Sequence, residues 1–325
     1  NRLRVGTPYR DFKNELKQIV TQLPAGAWLW DEARRLKRVP RELIVQSGFW
    51  DQLGFDYYGP IDGHDLEVLE STLRSVRHFT GKPALIHAIT VKGHGIPEAA
   101  ADPVRSHSGT YWLKPAAKSS AKSLPTYSQV FGEAASQAMQ EDDSVVVITP
   151  AMIEGSGLTA LQRDFPHRVL DVGIAEQHAV TVGAGLAAAG MKPIVAIYST
   201  FLQRAYDSVI HDVAVQGLPV VFAIDRAGYV GADGRTHQGF ADISFLRCVP
   251  GMVVAAPADD AELGELLACS LEHDGPFAIR YPRGQVATEI SARNGGPISI
   301  GTGTIIHEGS DVALIGIGSV LPECL

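Results

Sequence analysis

The sequence predicts an α/β protein built on a parallel sheet covered by helices on both faces, with partial α/β units on either side of it. Three observations carry this. From Tyr127 onward, near-continuous runs of Val, Ile and Ala alternate with helical segments, as a sheet buried on both faces requires. A long stretch rich in Ala, Pro, Ser and Lys, from Ile96 to about Pro125, has the composition of a connection between domains. Polar residues and glycines gather just past the strands, at the edge where such sheets bind ligands.

Residues 1–48 are helix-capable but mixed, with KNELKQ and DEARRLKR interrupted at Pro24, Gly26 and Pro40; Trp28 and Trp30 need a surface to pack on. FDYYGPIDGHD reads as strand, turn and helix start, with Asp62 or Asp65 capping the helix LEVLESTLRSVRHF. GKPALIHAITVKGHG adds a buried strand ending in a glycine turn, so a partial α/β unit precedes the connection. The central domain then runs helix (YSQVFGEAASQAMQ), strand (VVVIT), loop and helix (AMIEGSGLTALQRDF), strand (RVLDVG) and helix (AEQHAVTVGAGLAAAG). It continues through PIVAIYS, the helix TFLQRAYDSVIHDVAVQ, PVVFAID, a glycine loop, MVVAAPAD, the helix DAELGELLACSLEH and FAIRYP. ARNGGPISIGTG marks a second boundary near Arg293, and DVALIGIGSVLPECL reads as a buried strand entering a turn. The expected division is 1–115, a linker over 116–126, the central domain over 127–288, and 289–325 as linker and the start of another domain.

The 325 residues, 45% of them apolar, suffice for two ordinary domains or one large one. With 28 Lys and Arg against 36 Asp and Glu, the formal charge of −8 argues against a general nucleic-acid or anionic-membrane surface, so phosphate recognition must be local. Cys248, Cys269 and Cys324 form no CxxC pair, which speaks against a disulfide framework or a zinc site and for a reducing compartment. No apolar run reaches membrane-spanning length, and the first residues carry no signal-peptide core. The expectation is a piece of a longer protein.

The decapeptide DVGIAEQHAV sets Glu176 at a strand-to-helix junction amid Ala, Gly and Val. A carboxylate buried there costs several kcal/mol unless it is partnered or protonated, and such a group suits proton exchange with a bound heterocycle. Equally, an acid in this place complements the dipole of the helix that follows. Just past the strands lie Met152, Glu154 and Ser156, then Glu176 and His178, Tyr198 and Arg204, Arg226, Asp233 and His237, and Arg283. In DRAGYVGADGRTHQG four glycines allow close approach to a ligand while Asp233, Arg235 and His237 supply charge and proton transfer; a plain surface turn with a solvated His is the alternative. Arg226 and Arg283 offer planar forks suited to a phosphate, or they pair with Asp225, Asp242 or the loop acids. Tyr198 and Phe201 either stack on a flat heterocycle or fill core. His64 reads as a hydrogen-bonded structural His, and His107 has no structural task visible in the sequence.

The strings LGFDYYGPIDGHD, ITPAMIEGSG, DVGIAEQHAV, KPIVAIYSTFLQRAYDSVIHDVA, PVVFAIDRAGYVGADGRTHQG and RYPRG closely resemble the 1-deoxy-D-xylulose-5-phosphate synthases, thiamine diphosphate enzymes of the transketolase superfamily. The resemblance runs with few breaks from about Phe49 to the end, and STFLQRAYD with ADGRTHQG separates it from transketolases and dehydrogenase β subunits. It implies that 127–288 is the pyrimidine-binding domain, that 1–115 is the end of a diphosphate-binding domain, and that 289–325 begins the C-terminal domain. Glu176 would hydrogen-bond the aminopyrimidine ring and favour its imino tautomer, and Phe201 would stack on that ring. Tyr198, Arg226 and Arg283, with Arg204, would hold the substrate. Asp233 and His237, with His107, would act in proton transfer and in stabilising the pyruvate adduct. Lys92 and Ile96 would contact the cofactor, Ile96 standing where the family tends to carry Tyr.

The reaction so implied decarboxylates pyruvate and adds the two-carbon unit to D-glyceraldehyde 3-phosphate, feeding isoprenoid, thiamine and pyridoxal precursors. A homodimer in a bacterial cytoplasm or plastid is implied too, with neither nucleic acid nor membrane as partner. The family's GDG motif with its later Asn, which binds Mg²⁺ and the diphosphate, does not occur in these residues. The metal ligands are therefore expected outside the chain, and the chain alone is expected to be inactive. The rivals are a non-catalytic α/β module that has lost the cofactor and another transketolase-like enzyme; a nicotinamide-binding reading fails for want of GxGxxG after the first strand of either unit.

Overall fold

The computed structural model describes residues 48–77, 81–107, 124–286 and 298–325 and divides into two units, Asn1–Ser119 and Ser120–Leu325. The helices expected before residue 48, the boundary near Arg293 and most of the Ser/Lys-rich connection lie outside the described residues.

In the first unit a short helix α1 (Gly48–Gln52) precedes strand β1 (Asp56–Asp62), helix α2 (Leu66–Arg77) and strand β2 (Ala84–Ile89), and the two strands pair in parallel. This is the expected strand–helix–strand unit. Of the two candidate caps, Asp65 receives the Val68 N–H at 3.1 Å, whereas Asp62 closes the preceding turn on the His64 N–H at 2.9 Å. The connection after β2 is structured where it begins. Gly93, at φ +82°, lies so close to Ala99 that an added Cβ would sit 2.5 Å from its carbonyl carbon, and helix α3 (Pro97–Ala101) and a 3-10 turn (Arg105–His107) follow. A proline at the first helical position starts α3 within a segment whose composition reads as linker.

The second unit is a six-stranded parallel sheet in the order β4-β3-β5-β6-β8-β7. Its strands are β3 (Val145–Thr149), β4 (Val169–Asp171), β5 (Lys192–Tyr198), β6 (Val221–Asp225), β7 (Val253–Ala255) and β8 (Phe277–Arg280). Alternate side chains feed two cores. Val145, Val147, Ile194, Ala196, Val221 and Ala223 meet helix α4 (Tyr127–Glu141) and a later helix carrying Leu263, Leu266 and Leu267. Val146, Ile148, Val195, Ile197, Phe222 and Ile224 meet helix α6 (Glu176–Ala188) and the helical stretch after β5. Both faces are covered, which is why these strands read as unbroken apolar runs. Helix α5 (Thr159–Asp164) lies between β3 and β4.

Helix α4 opens with a capping box between Thr126 and Gln129. Small residues let α6 close on the sheet: a Cβ on Gly183 would come 3.1 Å from Val195 Cγ2. The segment after β5, expected as one helix, is broken into α7 (Ser199–Leu202), a 3-10 turn (Gln203–Ala205), α8 (Tyr206–Ser208) and a π-helix (Val209–Ala214). Helix α9 (Asp242–Leu246), unanticipated in the sequence, and α10 (Asp260–Leu271) complete the unit. The apolar run near the end differs from expectation. No strand forms over 311–317; Val312, Leu314 and Ile315 are 75%, 68% and 95% exposed, and a 3-10 helix (Gly318–Cys324) follows. Among the described residues no strand pairs with this run, so it has no ladder in which to satisfy its backbone.

Candidate active site

The chain passes from β3 outward to β4 and returns to β5 on the other side, so the sheet order reverses between β3 and β5. A crevice opens at the carboxyl ends of strands at such a point. The loop after β3 enters it first. Met152 is buried, its sulfur accepting the Tyr198 N–H at 3.3 Å. Gly155 lies against Tyr198 so tightly that a Cβ would fall 1.7 Å from the phenol oxygen. Ser156 is buried and its hydroxyl has no hydrogen-bond partner among the described residues, and Glu154 is exposed.

Glu176 is the first residue of α6 and only 4% exposed. The sequence left open whether it complements the helix dipole or faces a ligand. The position satisfies the first reading, but a dipole needs no burial. Among the described residues its carboxylate is paired with Arg204 Nη1 at 3.5 Å, and that arginine is itself 62% exposed. His178, two residues along, is exposed.

Arg204 and Phe201 are one helical turn apart. The Phe201 ring stacks on Tyr198 at 5.7 Å and meets the His237 ring edge-on at 5.2 Å. His237 Nδ1 is hydrogen-bonded to the Thr236 hydroxyl at 2.9 Å. Across Tyr198 lies Arg226, its Cζ 4.1 Å from the ring centroid. Burial pushes the Tyr198 hydroxyl up from its ordinary pKa; the Arg226 guanidinium opposes this and the Asp225 and Asp233 carboxylates add to it.

The glycine loop after β6 is a built structure and not a plain turn. Gly228 and Gly239 exchange both backbone hydrogen bonds at 2.8 Å. Within it the Gln238 amide accepts the Val230 N–H and donates to the carbonyls of Val230 and Gly234. This brings Asp233, on a 3-10 turn (Gly231–Asp233), between the two arginines: it is hydrogen-bonded to Arg283 and lies 3.6 Å from Arg226 Nε. The arginines pair with acids, as one reading of the sequence allowed, yet Arg226 Nε and Asp233 Oδ2 remain buried without a hydrogen bond. Burial pushes the Asp225 carboxyl above the ordinary carboxylate range against the pull of Arg226 and Ser128, and burial likewise raises the Tyr281 hydroxyl, which has no hydrogen-bond partner among the described residues.

Glu176, Arg204, Phe201, Tyr198, His237, Arg226, Asp233 and Arg283 thus form one connected set of contacts. Asp225, Ser128 and Gly155 belong to it too. Of these the sequence signalled only Asp225, as a possible partner of the arginines. Lys92, Ile96 and His107 lie in the first unit, where Lys92 Nζ meets His107 Nδ1 at 2.7 Å and Ile96 stands exposed before α3. An ammonium only donates, so His107 Nδ1 accepts there and a neutral ring carries its proton on Nε2. His64 is hydrogen-bonded as expected, its Nε2 accepting the Val91 N–H at 2.7 Å. Among the described residues no group of three His, Cys, Asp or Glu could hold a metal ion, and no helix is long and apolar enough to cross a membrane.

A family profile described as "Transketolase, pyrimidine binding domain" matches residues 123–288, and one described as "1-deoxy-D-xylulose-5-phosphate synthase" matches residues 1–90. A 1-deoxy-D-xylulose-5-phosphate synthase of Symbiobacterium thermophilum is 47% identical over 324 residues, which cover 99% of this chain and 50% of that protein. One of Polaromonas sp. is 49% identical over 326 residues, 99% of this chain and 51% of that protein. The chain spans about half the length of the curated relatives it matches. Among solved structures, a split-gene transketolase described as an inactive beta4 tetramer superposes with a TM-score of 0.50 at 28% identity, covering 57% of this chain and 60% of that one. With about half of its length matched by the first profile and its start by the second, the chain belongs to the transketolase pyrimidine-binding family, in the 1-deoxy-D-xylulose-5-phosphate synthase branch.

Proposed function

We propose that this chain supplies the pyrimidine side of the active site of a 1-deoxy-D-xylulose-5-phosphate synthase, which decarboxylates pyruvate and transfers its two-carbon unit to D-glyceraldehyde 3-phosphate. The observation that carries the reading is the buried Glu176 carboxylate, whose partner among the described residues is the exposed Arg204 at 3.5 Å. It belongs to the same connected set as an aromatic face and a pair of arginines.

The residues fit thiamine diphosphate. Glu176 offers an acceptor shielded from water, Phe201 a half-buried ring on which a heterocycle can stack, and the sequence between them no competing acid. When bound, the cofactor supplies the electron sink for decarboxylation of an α-keto acid. Glu176 would accept a hydrogen bond from the pyrimidine and hold its tautomer, and Phe201 would fix the ring plane. Arg226 and Arg283 take the phosphate of the aldehyde substrate, with Tyr198 and Arg204 beside it. His237 and Asp233 move protons at the substrate oxygens, and His107, its tautomer held by Lys92, serves the same chemistry; Lys92 and Ile96 contribute to the cofactor site. Mg²⁺ belongs to this reading, bound by groups other than those of this chain, as does a homodimeric protein working in a bacterial cytoplasm or a plastid. The domain division 1–115, 116–126, 127–288 and 289–325 is the corresponding proposal for the chain.

The test uses a complete protein that contains this chain, assayed with thiamine diphosphate and Mg²⁺. Formation of 1-deoxy-D-xylulose 5-phosphate from pyruvate and D-glyceraldehyde 3-phosphate is expected, without transfer from a ketose donor. Transfer from the ketose alone, or no stabilisation by the cofactor in a thermal-shift titration, overturns it.

A further inference from the structure

Arg226 follows β6 and lies in the left-handed region, at φ +58°. A long side chain is strained there, because its Cβ crowds the following carbonyl, so something must hold it. The carboxylate of Asp225, fully buried, does three things at once. One oxygen accepts the backbone N–H of Arg226 at 2.6 Å; the other accepts Arg226 Nη1 at 2.6 Å and the Ser128 hydroxyl at 2.7 Å. Nη1 also donates to the Gly155 carbonyl at 2.5 Å and reaches Ser128 Oγ at 3.3 Å. This pairing is end-on: all the bonds converge on Nη1. The usual two-pronged carboxylate–arginine fork would have consumed the Nε–Nη2 edge. Here that edge makes no hydrogen bond among the described residues: Nε is buried 3.6 Å from Asp233 Oδ2, beyond hydrogen-bond reach, and no described group is bonded to Nη2.

We infer that Asp225 is a positioning residue for anion recognition: by gripping the Arg226 backbone and Nη1 together, and Ser128 with them, it turns the Nε–Nη2 edge of the guanidinium toward the anionic group of a substrate. The chemical class recognised is a phosphate monoester or comparable oxyanion, and the inference rests on the substrate role proposed above for Arg226. Ser128 comes from the first turn of α4 and Gly155 from the loop after β3, so the grip ties three elements to one guanidinium. Burial raises the Asp225 carboxyl, and the Arg226 guanidinium beside it works against that rise.

The experiment is a double-mutant cycle in a complete protein containing this chain, comparing Asp225→Asn, Arg226→Ala and the pair, with KM for D-glyceraldehyde 3-phosphate and for pyruvate measured separately. Asp225→Asn is expected to raise KM for the phosphorylated aldehyde more than tenfold and KM for pyruvate less than threefold. In the Arg226→Ala background the same substitution is expected to add less than twofold, because its effect passes through that side chain. Ser128→Ala, a milder change, should move the same KM about threefold and covers the case in which Asp225→Asn does not fold. A KM for the aldehyde unchanged in Asp225→Asn, or unchanged in Ser128→Ala if Asp225→Asn does not fold, overturns the inference. So does an equal rise for both substrates, or a full effect added on top of Arg226→Ala. If Arg226→Ala alone leaves the aldehyde KM unchanged, the substrate role of Arg226 fails instead.

Discussion

The guanidinium of Arg226 lies over the ring of Tyr198, 4.1 Å from its centroid, while the phenol oxygen of the same tyrosine rests where a side chain on Gly155 would have to be. The ring is therefore a plate between the loop after β3 and the arginine after β6. A cation over a partly desolvated aromatic face is stabilised by about 0.5–2 kcal/mol, and the plate also fixes the plane of the guanidinium.

Gly155→Ala should break this arrangement, since a methyl group 1.7 Å from the Tyr198 oxygen cannot be accommodated without moving the ring. The expected outcome in a complete protein is a rise in KM for D-glyceraldehyde 3-phosphate of about tenfold, the scale of the lost ring contact, with a smaller change for pyruvate. Steady-state kinetics with each substrate varied in turn checks it.

Gly157 is required for a different reason. It sits at φ +74°, and a Cβ there would lie 2.1 Å from the carbonyl oxygen of Ser128 at the start of α4. Gly157→Ala is expected to destabilise the second unit by about 1–3 kcal/mol, from overpacking plus an unfavourable backbone conformation. Urea unfolding followed by circular dichroism measures this directly.

Much of the fold was legible because burial on both faces writes itself into composition: Val145–Thr149 and Val221–Asp225 are buried at every position, and the first four residues of each read as an unbroken apolar run. Glu176 was legible for the opposite reason, as an acid among small apolar residues. The break of the segment after Tyr198 into α, 3-10 and π turns was not, because its residues have ordinary helical spacing and only packing against α6 distinguishes them. The grip on Arg226 was equally hidden. Ser128 lies 97 residues from Asp225, and Gly155 lies 71 from Arg226; neither has a local pattern to announce it. The terminal run misled because apolar composition predicts a strand only when a neighbouring strand supplies the ladder.

A pH dependence follows from His211, on the π-helix, whose Nδ1 is 3.0 Å from Asp212 Oδ1 while Thr181 of α6 donates to the other oxygen at 2.6 Å. The hydrogen bond to Asp212 raises the imidazole above its ordinary value of 6.5. A raised histidine contributes stability that is full below the unfolded value and is lost as pH rises through the folded one. The parent should therefore lose a small stability advantage over His211→Gln between about pH 6 and pH 8. Thermal unfolding of both proteins across that range checks it, and an advantage that grows with pH has the wrong sign.

The central claim is that Glu176 serves the cofactor and not the helix. The direct measurement is the rate of 1-deoxy-D-xylulose 5-phosphate formation by Glu176→Ala in a complete protein containing this chain, alongside its thermal unfolding. The account predicts a loss of about a hundredfold or more, the scale of a removed proton-transfer partner, with the fold retained. Activity within a few-fold of the parent, or unfolding of the variant, would contradict it.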